Sequence, residues 1–106
     1  MDISSIYVHD ATLLRVIEDT EADTLTMDVM LPVSPSGDDF VPRLLVFEDV
    51  HGYKVFDGPF VGSPDILDMR VIGERDGWKH VRIDTNAGHR ELYCSDVRVV
   101  EHEGVG

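Results

Sequence analysis

The chain has 106 residues and carries 21 acidic against 9 basic side chains, a formal charge of −12 with histidine neutral. That length suits one domain spanning residues 1–106, and 42% hydrophobic residues can supply a real core. The charge argues against a phosphate-tracking nucleic-acid binder, which needs a basic stripe, and against electrostatic docking on an anionic membrane.

No apolar run reaches the roughly 20 residues of a membrane span. Met1-Asp2-Ile3-Ser4-Ser5 lacks a basic region followed by an apolar one, so no secretory leader is read there. A single cysteine, Cys94, rules out an internal disulfide framework and suits a reducing, cytoplasmic setting. The charge is lopsided. Residues 1–53 hold 2 basic and 11 acidic side chains, a net of −9, whereas residues 54–106 carry a net of −3.

Short apolar alternations punctuated by turn residues run along the chain, the pattern of a sandwich or barrel. Ile3 to Val8 reads as a short edge strand within residues 1–8. Thr12 to Glu18 reads as a strand in preference to a helix capped by Asp10, because Val16 and Ile17 are β-branched. Its partner follows the polar turn Asp19–Asp23: Leu25, Met27, Val29 and Leu31 are apolar at every second position. Pro32 to Pro42 reads as a loop, and Leu44 to Val50 as a strand. Tyr53 to Phe56 is a short apolar piece, followed by breaks at Asp57-Gly58-Pro59 and Gly62-Ser63-Pro64. A loop then feeds a strand at 66–74.

Glu74-Arg75-Asp76-Gly77 reads as a turn in which glycine supplies a positive φ. Trp78 to Thr85 alternates Val81 and Ile83 against His80, Arg82 and Asp84. A four-residue loop, Asn86-Ala87-Gly88-His89, would align Val81 with Cys94 and Ile83 with Leu92, apolar against apolar. It would also set Arg82 opposite Tyr93, Asp84 opposite Glu91 and His80 opposite Ser95. Beyond Cys94 the apolar positions become Val97 and Val99, a change of parity that suggests a bulge near Ser95-Asp96. Residues 101–106 read as a frayed tail. The expected fold is all-β: an antiparallel β-sandwich or partly open barrel of about seven strands, with at most a short helical turn.

No catalytic constellation emerges. His9-Asp10 would mark a metal-dependent phosphohydrolase on a helix with further His and Asp ligands; here it opens a strand, and a turn role is preferred. His51, His80, His89 and His102 lack a partner at metal-ligand spacing and read as surface residues. Cys94 falls on the inward side and reads as a small core hydrophobe. No nucleophile elbow or phosphate loop is present, and no cofactor or metal is called for.

Two surfaces stand out. Glu18, Asp19, Glu21, Asp23 and Asp28 gather around the first hairpin without a basic residue among them, although like charges repel. The bland reading is a solvated tip that aids solubility; the functional one is a patch steering a basic partner. The outer face of the last hairpin presents Trp78, His80, Arg82 and Tyr93, residue types that dominate interface energies. Its bland reading is an edge tryptophan covering the core.

The run His9-Asp10-Ala11-Thr12-Leu13-Leu14, then Val16-Ile17-Glu18-Asp19 and Thr24-Leu25-Thr26-Met27-Asp28-Val29, is followed by Leu45 to Val50 and Ile66-Leu67-Asp68. This pattern resembles a loose group of small bacterial β domains, some of them similar to immunity proteins of polymorphic toxin systems. The resemblance implies an all-β fold and a protein-binding role, and it transfers no catalytic residue.

The function expected from sequence is therefore a non-catalytic domain that binds a basic protein, with immunity-like inhibition of a toxin or enzyme as its sharpest form. Asp19, Glu21, Asp23 and Asp28 would steer the partner; Trp78, Arg82 and Tyr93 would anchor it. The rival readings are a small-ligand binding barrel and, less favoured, a metal-dependent hydrolase. A homodimer through an edge strand stays open.

Overall fold

A computed structural model describes residues 2–35 and 37–101. Eight strands run in chain order: β1 (Ala11–Asp19), β2 (Thr24–Pro32), β3 (Phe40–Glu48), β4 (His51–Asp57), β5 (Asp65–Arg75), β6 (Trp78–Thr85), β7 (Gly88–Cys94) and β8 (Asp96–Glu101). All pairings are antiparallel, in one sheet of order β4-β7-β6-β5-β1-β2-β3-β8. The all-β expectation holds, with eight strands in place of about seven: Ile3–Val8 is not one of them, Tyr53–Phe56 extends into a full strand, His51–Asp57, and the last stretch divides at Ser95 into β7 and β8.

The connections force this sheet to curl. β3 and β4 stand seventh and first in the order yet are linked only by Asp49 and Val50. Six strand spacings in a flat sheet would separate them by roughly 29 Å, whereas the linker reaches only about 11 Å. Ser95 alone likewise joins β7 to β8, from second to eighth place. The edges therefore meet at one corner, where Ser95 N–H donates to the Glu48 carbonyl at 2.9 Å and Val50 N–H to the Asp23 carbonyl at 2.8 Å. β4 and β8 do not pair, so the sheet is not closed.

The interior is apolar. Leu25, Met27, Val29, Leu45, Phe47 and Val97 from one side meet Ile66, Val81, Ile83, Leu92 and Cys94 from the other, all fully buried. The alternation read in β2 thus places its side chains as expected. Between the two groups, β1 and β5 share only the pairs Ala11–Ile66 and Thr12–Asp65.

Several local expectations need correction. Ile3–Val8 is not an edge strand: Ile3–Ser5 forms a 3-10 turn, in which Ser5 N–H donates to the Asp2 carbonyl at 3.0 Å. Ile3 and Val8 are both buried in the core, a spacing of five that no strand alternation provides. The last hairpin is shifted by two residues. Its loop is Asn86-Ala87, so Val81 faces Leu92, Ile83 faces Arg90, Arg82 faces Glu91, Asp84 faces His89 and His80 faces Tyr93.

Glycine explains the slip: Gly88 belongs to the strand because β4 passes hard against it. A Cβ there would press on the Phe56 carbonyl oxygen and come within 2.8 Å of Asp57 Cα. A shift of two preserves parity, so the inward and outward faces come out as expected while every cross-strand pair changes. The parity change after Cys94 is likewise a strand switch at Ser95, not a bulge: β7 pairs with β6, and β8 with β3. Of the expected frayed tail, Glu101 completes β8, and residues 102–106 lie outside the described residues.

Candidate functional site

Three turns converge beside Trp78. Each carries an aspartate in the left-handed backbone region: Asp23 (φ 55°) closes β1–β2, Asp49 (φ 54°) links β3 to β4, and Asp76 (φ 55°) leads into β6. Aspartate tolerates this region better than most side chains, though glycine or asparagine would suit it more cheaply. Asp76 is followed by Gly77 at φ 85°, the two-residue hairpin turn whose glycine the sequence signalled.

Trp78 stands at the start of β6, half-buried, its indole and the His51 ring forming a T-shaped pair with centroids 4.7 Å apart. His51 stacks on Tyr93 at 5.3 Å, and Tyr93 on His80 at 4.3 Å. The bulge at Gly52 (φ 63°) makes room for this stack, since a Cβ there would come within 3.2 Å of the Tyr93 ring.

Surface depressions join these groups into one band. A notch of about 90 Å³ is lined by Glu18, Asp19, Thr20, Asp23, Thr24, Leu25 and Val50. Sharing Asp23 and Val50 with it, a cleft of about 230 Å³ continues to Asp49, His51 and Trp78. A third depression, of about 380 Å³, shares His51 and Trp78 and adds Arg75, Asp76 and Tyr93. The acidic tip and the aromatic face, separate in the sequence reading, are thus neighbours. Curling of the sheet is the reason, because it carries the β3–β4 linker between them.

Not every residue singled out in the sequence reaches this band. Asp28 is only 4% exposed, and its carboxylate accepts from Arg15 Nε at 2.9 Å, so it is part of the framework. Asp19 lines the notch but also holds the turn, with Oδ1 accepting from the N–H groups of Glu21 (3.0 Å) and Ala22 (3.1 Å). Among the described residues, the carboxylates of Glu18, Glu21, Asp23 and Asp76 have no hydrogen-bond or ion-pair partner.

Arg82 does not sit beside Tyr93. Its Nε donates to Asp84 Oδ1 at 2.9 Å, and Arg70 donates to Asp84 Oδ2 (2.9 Å) and Asp68 Oδ2 (2.7 Å). Burial alone would raise the Asp84 carboxyl, but the hydrogen bonds and charges of Arg82 and Arg70 outweigh it and hold it below the usual range. Glu91 bridges two histidines, Oε1 to His80 Nε2 at 2.8 Å and Oε2 to His89 Nε2 at 3.2 Å, and the His80 hydrogen bond is the main cause of its lowered pKa. The sequence reading, in the wrong register, kept these histidines apart.

On the opposite, inner face, Arg90 donates to Asp57 Oδ2 at 2.8 Å and to the Tyr53 hydroxyl at 3.1 Å. Burial pushes the Tyr53 phenol up, with Arg90 pulling back.

His9 and Asp10 lie in the turn before β1, where His9 Nδ1 is 3.0 Å from the Leu67 carbonyl and Asp10 N–H donates to the Ile66 carbonyl at 2.8 Å. Cys94 is fully buried opposite Lys79, and burial pushes its thiol up to about 11. Among the described residues no group of three or more His, Cys, Asp or Glu side chains is arranged to hold a metal ion, and no helix is long and apolar enough to cross a membrane. Asp49 and His51 were missed as members of the band. Neither has a sequence signal, since both join through a linker whose position only the sheet order defines.

No family model matches the chain, and no curated protein matches it. Among solved structures it is similar to a crystal structure of an uncharacterized protein from Neisseria gonorrhoeae, with a TM-score of 0.50 and 10% identity over 86% of this chain and 90% of that one. That likeness concerns the fold alone.

Proposed function

We propose that the protein is a non-catalytic binding domain for a basic protein, and that the band from Glu18 to Tyr93 is its docking surface. The observation that carries this reading is the continuity of the acidic notch with the Trp78 cleft through Asp23 and Val50. Acids with no partner steer a cationic surface, and half-buried aromatics beside them supply contact energy. Asp19, Glu21 and Asp23 keep the steering role; Asp28 leaves it because it is buried against Arg15. Trp78 and Tyr93 keep the anchoring role, while Arg82 contributes only by giving up Asp84. Inhibition of a toxin or enzyme in the immunity-like manner is the sharpest form of this function. The seam of only two pairs between β1 and β5 supports describing the fold as a sandwich of two four-stranded halves.

The test compares the wild type with D19N/E21Q/D23N as bait at low and moderate salt, followed by association kinetics with any basic protein retained. A partner held by the wild type should associate several-fold more slowly with the neutralised bait, with a flatter salt dependence. Equal rates and equal salt dependence would remove the proposed surface.

A further inference from the structure

Within the band, the cleft lined by Asp23, Asp49, Val50, His51 and Trp78 combines three features. It has an aromatic wall, Trp78 and His51 in a T-shaped pair with centroids 4.7 Å apart. Two acids border it from different turns, and no lysine or arginine lines it, unlike the adjoining depression that contains Arg75. Its volume of about 230 Å³ suits one side chain better than a drug-sized ligand, which fills about 300 Å³ or more. Asp49 is oriented by Ser95 Oγ, which donates to its Oδ2 at 2.5 Å, leaving Oδ1 without a protein partner among the described residues. Asp23 is held by its backbone, through Val50 N–H, and its carboxylate has no partner there.

An aromatic face beside carboxylates is complementary to a planar cation. Guanidinium stacks on indole and donates to carboxylates through a fixed fork, whereas ammonium is a compact, strongly hydrated point charge. Apolar side chains would leave Asp23 and Asp49 desolvated and unpaired, and an acidic one would be repelled. We propose that this cleft is the subsite for a single arginine side chain of the basic partner, with its guanidinium over Trp78 and its N–H groups on Asp23 and Asp49. The assignment rests on the protein-binding reading above and narrows it to one contact.

Trp78 is the only tryptophan, so its emission reports on the cleft directly. The probe is a short neutral-capped peptide with one arginine between glycines, set against counterparts with citrulline, which is the uncharged isostere, and with lysine. Saturable change in Trp78 emission is expected with the arginine peptide below about 10 mM, with at least several-fold weaker binding for lysine and none resolved for citrulline. D23N and D49N should each weaken the arginine peptide roughly three- to fivefold. Asparagine is at home in the left-handed region, so both variants keep the turns, and their denaturation midpoints check this.

Citrulline binding as tightly as arginine, lysine matching arginine, no saturable change below about 10 mM, or D23N and D49N both indistinguishable from wild type would each overturn the subsite. A wild type that still holds a basic protein with salt-dependent association would show that only the arginine assignment had failed.

Discussion

The two hairpins that contribute to the band treat charge in opposite ways. On β6–β7, Arg82 is bonded to Asp84, and Glu91 takes both His80 and His89, all within 3.2 Å. Arg90 on the inner face has Asp57 at 2.8 Å. On β1–β2 only the framework pair Arg15–Asp28 repeats that pattern, while Glu18, Glu21 and Asp23 have no side-chain cation among the described residues. Paired charges hold strands in register and cover what they bury. Unpaired like charges do neither, so folding alone does not account for their position beside the aromatic stack. Perturbing each hairpin should therefore have opposite consequences, for stability on one and for association on the other.

The largest effect is expected where β7 is pinned to β4. Gly88→Ala places a methyl group against the Phe56 carbonyl and Asp57 Cα, where backbone and not a flexible side chain must move. A loss of about 3 kcal/mol or more is expected, read from the denaturant midpoint. A near-neutral result would mean that β4 is not seated on β7 as described.

Next comes the inner ion pair. Arg90 and Asp57 side chains are 15% and 18% exposed, and Arg90 also serves the Tyr53 hydroxyl. Removing one partner strands the other in a dry environment, so Arg90→Ala should cost about 2–3 kcal/mol. The double variant R90M/D57L should recover most of that loss, because the remaining apolar pair carries no unpaired charge. A double-variant loss equal to that of Arg90→Ala would show that the pair itself, and not the stranded charge, sets the cost.

How far the sequence revealed this depends on the kind of information each feature needs. Period-two alternation is local, and it identified β2 and β6 with their inward faces. The register of β6–β7 was lost because Asn86-Ala87 lacks the glycine that announces a two-residue loop, while Gly88 carried that signal and served another purpose, the close approach of β4. Chemical type was legible, since Asp23, Trp78 and Tyr93 were each singled out, but their adjacency was not. It depends on β3 and β4 lying at opposite ends of the sheet order while joined by two residues. Asp28 failed for a similar reason: its charge is visible in the sequence, but the Arg15 that neutralises it lies across a strand pair.

A smaller effect is expected from the outer network on β5–β6. Arg82→Ala removes one of two arginines on a partly exposed Asp84, so less than about 1 kcal/mol should be lost at neutral pH. The pH dependence is more telling. Because Asp84 and Glu91 are held below their usual values, their contribution is present above the unfolded-state pKa and disappears as pH falls through the folded-state value. Stability should therefore decline below about pH 4, and Arg82→Ala should make that decline shallower. An unchanged acid limb would mean that Arg70 alone holds Asp84.

The smallest effect separates the two hairpins most cleanly. Glu21 lies at the tip of β1–β2, exposed, with its backbone N–H held by Asp19 and its carboxylate without a partner among the described residues. Glu21→Gln should change stability by less than about 0.5 kcal/mol, in the stabilising direction if anything, because it removes repulsion from Asp19 and Asp23. A destabilisation beyond that, measured by denaturation, would mean that the tip carboxylate serves the fold, and the contrast between a paired structural hairpin and an unpaired binding one would lose its basis. A neutral result combined with slower association of a basic partner would place the role of Glu21 in binding.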